Sequence, residues 1–204
     1  MTLQVTLVDC GVGNLHSLTK ALERAGAQVA VSREPGQIER AQALVFPGVG
    51  AFGDAMETLH PVRDLLKRRL EAGVPALGVC LGMQVLFERS EESPGARGLG
   101  FIRGTVKRLP SPKLPQVGWN VVNHVEGVPL FRGIPDGRHV YYVNSFAPVP
   151  EEPVTVATST YGATFTAAVR KRNAYGVQFH PEKSSTTGLQ MIANFVHTAK
   201  EATA

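Results

Sequence analysis

Four short β-prone runs, separated by segments of helical spacing, constrain this chain more than any other feature. Leu3–Val8, Gln28–Val31, Ala43–Phe46 and Ala76–Val79 are each too short for a buried helix and read as strands. Between them Leu15, Leu18, Leu22 and Ala25 recur on one helical face, and Gly26 ends that helix. Met56, Leu59, Val62, Leu65 and Leu70 predict a second, broken or kinked at Pro61, and a third is expected over 83–89. Strand–helix alternation of this kind builds a mostly parallel central sheet flanked by helices on both faces. The C-terminal half changes character. Phe101–Leu109, Trp119–Val125, His139–Phe146, Val154–Thr160, Phe165–Arg170 and Tyr175–Phe179 read as strands joined by Gly/Pro-rich connections, and a final helix carries Leu189, Ile192, Phe195 and Val196. The expectation is an α/β fold with an additional, largely antiparallel layer, forming a single domain over residues 1–204.

Composition narrows the function classes. A chain of 204 residues can bury a large core without disulfides or metals. Only Cys10 and Cys80 are cysteines, which excludes a disulfide framework and fits a reducing, cytoplasmic compartment. The opening MTLQVTLVD lacks a basic leader and reads as a first strand, not a signal peptide, and no run reaches the ~20 apolar residues of a membrane span. The net charge of +4 is mild. Lys67-Arg68-Arg69 and Arg170-Lys171-Arg172 are short and lack interleaved aromatic residues, so they read as solvated faces or a surface for an acidic protein, not as a nucleic-acid site. No metal or cofactor cluster is recognisable.

Two glycine-rich turns stand out. Gly11-Val12-Gly13-Asn14-Leu15-His16 follows a strand and opens a helix, with Glu34 near the spacing of a ribose-binding acid. However, the third glycine of a dinucleotide fingerprint is His16 here, so a plain strand-to-helix turn is the better reading, with Asn14 pointing outward. The second is Gly78-Val79-Cys80-Leu81-Gly82, at the end of the fourth strand. Flanking glycines permit a sharp elbow that exposes the central side chain, and the following helix's amides favour a thiolate. A cysteine merely packed beside a tight turn has the same local sequence. The base decides between them. Far downstream, YGVQFHPEKSS places His180-Pro181-Glu182 at the end of an apolar strand, on the edge where α/β active sites form. Glu182 can reach back to hold the ring in the tautomer that accepts the thiol proton.

Gly78-Val79-Cys80-Leu81-Gly82 together with His180-Pro181-Glu182 resembles the triad glutamine amidotransferases, over nearly the whole chain. Asp9 to Leu15, Pro47-Gly48-Val49-Gly50-Ala51-Phe52 and His180 to Ser184 resemble one branch, the glutaminase subunits of imidazole glycerol phosphate synthase. Cys10 departs from that branch, where tyrosine is usual. The resemblance implies a catalytic triad of Cys80, His180 and Glu182. It implies oxyanion donors at Leu81 and in the Val49–Gly50 peptide. Gly48, Gln84, Asn144, Ser145 and Phe146 are then expected around the glutamine substrate. It also implies a heterodimer with a (β/α)8-barrel cyclase subunit, with Asn14 and Lys183 at the interface. No cofactor, nucleic acid or membrane is implied.

Three alternatives remain at this level. A glutaminase subunit serving pyridoxal phosphate or anthranilate synthesis would share the triad but not the Pro-Gly-Val-Gly loop. A cysteine-elbow hydrolase of similar fold would act on other substrates and lack the distant His-Pro-Glu. A binding protein on an inactive scaffold would not need Cys80, His180 and Glu182 intact.

Overall fold

Along β1 (Leu3–Val8) the side chains of Leu3, Val5 and Leu7 enter one apolar layer and Val8 enters another. In β3 (Ala43–Phe46) Ala43 and Val45 share the first layer, and Leu44 and Phe46 the second. Strands with both faces buried in this way form the centre of a sheet covered on two sides. The computed structural model describes residues 2–11 and 15–203.

The elements follow in chain order. After β1 come α1 (Leu15–Arg24), β2 (Ala27–Ser32), α2 (Pro35–Arg40) and β3. Helix α3 (Phe52–Leu59), a 3₁₀ turn at His60–Val62 and α4 (Arg63–Glu71) lead to β4 (Ala76–Val79). The break falls at Pro61, as its missing N–H and fixed φ require. Then come α5 (Leu81–Gln84), β5 (Arg89–Ser90), β6 (Gly104–Arg108), β7 (Gln116–His124), β8 (Arg138–Asn144), β9 (Phe146–Pro150), β10 (Thr155–Tyr161), β11 (Ala163–Lys171), β12 (Ala174–Val177) and α6 (Ser185–Thr203).

The main sheet has nine strands in the order β2-β1-β3-β4-β12-β11-β10-β7-β8. Its first five strands are parallel, and from β12 onward each neighbour is antiparallel. Most of the antiparallel strands therefore extend the central sheet. The separate layer is a smaller sheet, β5-β6-β9, whose β9 packs near β11. Helices α1 and α6 cover one face through Leu18, Leu22, Ile192 and Phe195. Phe52, Met56, Leu66 and Leu70 of α3 and α4 cover the other.

Two elements differ from the sequence expectation in ways that shape the site. The helix expected over 83–89 is a single turn, Leu81–Gln84. The carbonyls that would continue it are taken by a distant loop: Leu99 N–H donates to Val85 O, and Phe101 and Ile102 N–H to Leu86 O. The strand expected over His139–Phe146 is two strands. Ser145 is the junction at which the chain leaves β8 in the large sheet and enters β9 in the small one. Cys10 is buried and donates to Val8 O, and burial, with the charge of Asp9, pushes its thiol up to about 12. It is packing, away from the chemistry.

Candidate active site

Strand β4 runs parallel to β12, with Val79 opposite Val177, and the Cys80 N–H continues that ladder to Val177 O at 2.7 Å. There the backbone turns to φ 51, ψ −108, a conformation costing an L-residue on the order of 1–3 kcal/mol unless its surroundings hold it. The neighbouring glycines allow it. A Cβ on Gly82 would lie 1.9 Å from Phe46 O, and one on Gly78 would lie 2.4 Å from Gly82 O, so the elbow and the end of β3 touch backbone to backbone. Met83 and Gln84 donate their N–H groups to Cys80 O. The Leu81 N–H has no intramolecular acceptor among the described residues. Because α5 is one turn long, donors near the sulfur act one by one and no long helix dipole aims at it.

His180 follows the end of β12. Its N–H donates to Tyr141 O at 2.8 Å. The hydroxyl of Ser184, fully buried, donates to His180 O at 2.6 Å and accepts from Tyr141 N–H at 2.9 Å, which ties the turn Pro181–Lys183 to β8. The ring Nδ1 lies 2.9 Å from Glu182 Oε1, with both side chains buried. Burial alone would pull the imidazole down. Contact with the Cys80 sulfur and with Glu182 outweighs it, and the ring is raised to about 10. The sulfur's own hydrogen bonds run elsewhere: it accepts from Gln178 Nε2 at 3.4 Å and donates to Val143 O at 3.7 Å.

Cys80 and His180 open into one cavity of about 240 Å³. Gly48, Val49, Gly50 and Leu81 form one wall, and Gln84, Asn144, Ser145 and Phe146 another. Gly48 sits so tightly that an added Cβ would come within 2.5 Å of the Leu81 and Gly82 nitrogens. Gly50 adopts φ 132, open only to glycine without strain, and Val49 is exposed. Gln84 donates to Phe146 O and to Gln178 Oε1. A larger groove of about 480 Å³, flanked by Leu109, Pro148 and Phe165, contains no cysteine, histidine or carboxylate, so the chemistry singles out the smaller cavity.

The structure thus brings together Cys80, His180, Glu182 and the expected loop and strand-end residues. Glu182 stands behind the ring, outside the cavity lining. Lys183 is exposed and also lies outside it. Asn14 falls outside the described residues. Sequence reading missed Glu92, Pro115 and Val143, which line the cavity, and Gln178 and Ser184, which brace it. Glu92 Oε2 also accepts from the Phe52 N–H at the start of α3. A polar Gln178 inside the apolar run Tyr175–Phe179 was the one visible signal.

The glutamine amidotransferase class-I family model matches residues 6–199, and the chain belongs to that family. Imidazole glycerol phosphate synthase subunit HisH of Thermococcus kodakarensis is 46% identical over 196 residues, covering 94% of this chain and 98% of the relative. The subunit of the same description from Moorella thermoacetica is 45% identical over 202 residues, covering 97% and 96%. Within the family the chain groups with these HisH subunits. Among solved structures, PurLQS from Thermotoga maritima aligns with a TM-score of 0.76 at 17% identity, over 99% of each chain, a likeness of fold. A glutamine amidotransferase from the same organism aligns at 0.65 and 20% identity, over 92% of this chain and 79% of that one.

Proposed function

We propose that this chain is a single glutaminase domain that hydrolyses glutamine to glutamate and ammonia and delivers the ammonia to a partner subunit. The observation that carries this reading is the strained Cys80 elbow opening into the same cavity as a buried imidazole held by a buried carboxylate. Cys80 thiolate attacks the side-chain amide carbon of glutamine, and the C–N bond breaks as His180 gives its proton to the leaving ammonia. His180 then takes a proton from water, which attacks the γ-glutamyl thioester and releases glutamate. With the ring raised to about 10, a proton taken from Cys80 stays on the imidazole until the leaving ammonia accepts it, which suits the first step.

The tetrahedral oxyanion needs preset donors, each worth roughly 3 kcal/mol in acyl transfer. The Leu81 N–H is one. The second comes from the Val49–Gly50 peptide, which can rotate because Gly50 accepts a φ closed to other residues. Gln84, Gly48 and the Asn144–Phe146 backbone hold the substrate, and the Glu92 carboxylate offers a countercharge for its α-ammonium.

Ammonia in water at neutral pH is mostly protonated and a poor nucleophile, so it has to be passed on under cover. The partner in this reading is a (β/α)8-barrel cyclase. It joins ammonia to a formimino carboxamide ribonucleotide, giving imidazole glycerol phosphate for histidine synthesis and aminoimidazole carboxamide ribonucleotide. The docking face is the rim of the catalytic cavity. Lys183 is exposed next to the His180 turn, and Val117 and Trp119, 60% and 53% exposed, follow the cavity residue Pro115. A role for Asn14 in binding the cyclase and a cytoplasmic setting belong to the same reading. No helix among the described residues is long and apolar enough to cross a membrane.

Glutamate release is measured with the chain alone, then with the cyclase and its nucleotide, with Cys80→Ala as control. Strong activation that vanishes in the variant is expected. Activity indifferent to the cyclase would remove the partner from the reading, and activity surviving Cys80→Ala would remove the nucleophile.

A further inference from the structure

Gln178 has no exposed surface, although a buried amide is costly unless its polar atoms are engaged. Both ends are engaged. Nε2 donates to Cys80 Sγ at 3.4 Å, and Oε1 accepts from Gln84 Nε2 at 3.1 Å. The direction of this relay is dictated from outside it. Gln84 also donates to Phe146 O at 3.2 Å, and a backbone carbonyl can only accept. Hence the Gln84 NH₂ must face inward, Gln178 must turn its oxygen toward Gln84, and its NH₂ is left facing the sulfur. With both Gln84 hydrogens committed, that amide's oxygen is left to accept a hydrogen bond from a ligand in the cavity.

On its other side the sulfur meets Val143 O, to which the thiol donates. A carbonyl oxygen favours the S–H form and repels a thiolate. An amide N–H does the reverse. Cys80 therefore sits between two backbone-anchored neighbours with opposite preferences, and only one of them remains attractive once His180 has taken the proton.

Resting on the glutaminase reading above, we propose that Gln178 is a positioning residue for the reaction. Its N–H holds the Cys80 sulfur in the attacking thiolate form, and its carbonyl oxygen fixes the Gln84 amide that meets the substrate. It acts through Cys80 and Gln84 and does not itself line the cavity.

The test uses the full chain. Alkylation of Cys80 by iodoacetamide is followed against pH at the Cys80 peptide by mass spectrometry, and kcat and KM for glutamine are measured with the cyclase present. Gln178→Met keeps the bulk and removes the donor. It should move the alkylation profile about one unit to the alkaline side, a tenfold slower reaction on the rising limb of the profile. It should also lower kcat and raise KM. Gln178→Glu keeps an oxygen for Gln84 but sets a carboxylate beside the sulfur, and should move the profile at least as far. Gln84→Met frees the Gln178 amide to turn, so it should raise KM and move the profile by less than either Gln178 variant. Circular dichroism identifies any variant that fails to fold, and the other Gln178 variant then decides. Profiles of folded Gln178 variants that overlay wild type would overturn the proposal, as would an equal displacement by Gln84→Met. Wild type that releases no glutamate with the cyclase would overturn the functional reading instead, and the alkylation arm would still decide whether Gln178 holds the sulfur.

Discussion

Replacing Glu182 by glutamine removes one negative charge 2.9 Å from a buried imidazole while keeping the side chain's size. A hydrogen bond to a charged group contributes about 1.5–3 kcal/mol, and one unit of pKa is about 1.4 kcal/mol, so the ring should lose its proton roughly 1–2 units earlier. Burial, which opposes the imidazolium, then meets less resistance. The introduced amide can also either donate to Nδ1 or accept from it, so the catalytic tautomer is no longer unique. We expect kcat to fall on the order of a hundredfold, the lower range of general acid–base contributions. Stability follows by linkage. A ring raised from 6.5 to about 10 in the folded state contributes fully below pH ~6.5, and that contribution is lost as pH rises toward about 10. Wild type should therefore lose stability across that window, and Glu182→Gln should flatten the loss. The assays are an NMR titration of the His180 ring, glutamate release with the cyclase present, and urea unfolding at several pH values. A ring titrating within half a unit of wild type together with kcat within about threefold would refute the reasoning.

Cys80→Ala should abolish glutamate release and lower the His180 titration at least as far as Glu182→Gln does, since the sulfur is the larger of the two influences raising it. Cys80→Gly should be equally inactive yet about 1 kcal/mol more stable than Cys80→Ala, because φ 51 strains alanine and not glycine; equal urea midpoints would contradict this. Gly82→Ala should destabilise by about 3 kcal/mol or more, because its Cβ would overlap Phe46 O, which belongs to a buried strand and cannot give way. Gly127→Ala, with φ 80 but open space around it, should cost only about 1 kcal/mol, and thermal unfolding of the pair checks the contrast.

The strands that the sequence marks best are those whose two faces are both buried. Leu3–Val8, Ala43–Phe46 and Ala76–Val79 have the expected ends because apolar runs there stop at Asp, Pro and the elbow. Where a distant segment competes for the backbone, local reading fails. The amides of Leu99, Phe101 and Ile102 end α5 early, and nothing within 83–89 announces them. Likewise His139–Phe146 is uniformly strand-like, and the change of sheet at Ser145 depends on β6 being present to pair with Phe146–Pro150. That Cys80, His180 and Glu182 would cluster was legible because a glycine-flanked cysteine and a His-Pro-Glu are rare at such turns. Helix α2 went unnoticed, having one buried apolar residue, Ile38. Gln178 showed only as a polar break in an apolar run and Glu92 not at all, since a lone polar residue acquires meaning only from the atoms opposite it.

β4 and β12 are adjacent parallel strands, although the whole antiparallel half of the protein lies between them in sequence. Cys80 and His180 are therefore indexed to one ladder, Val79 opposite Val177, and of the intervening chain it is β8, through Tyr141 O and Val143 O, that helps to hold them. That chain is a long detour that leaves the sheet beside one reactive group and returns beside the other. Doubling its length would add only about 0.6 kcal/mol of closure entropy. Shifting either strand by one residue would instead turn every side chain on it to the opposite face and take Cys80 and His180 apart. The rest of the detour is thus free to acquire loops, rims and contact surfaces for different recipients of ammonia, while β4 and β12, with β8 braced against the His180 turn, keep Cys80 and His180 together.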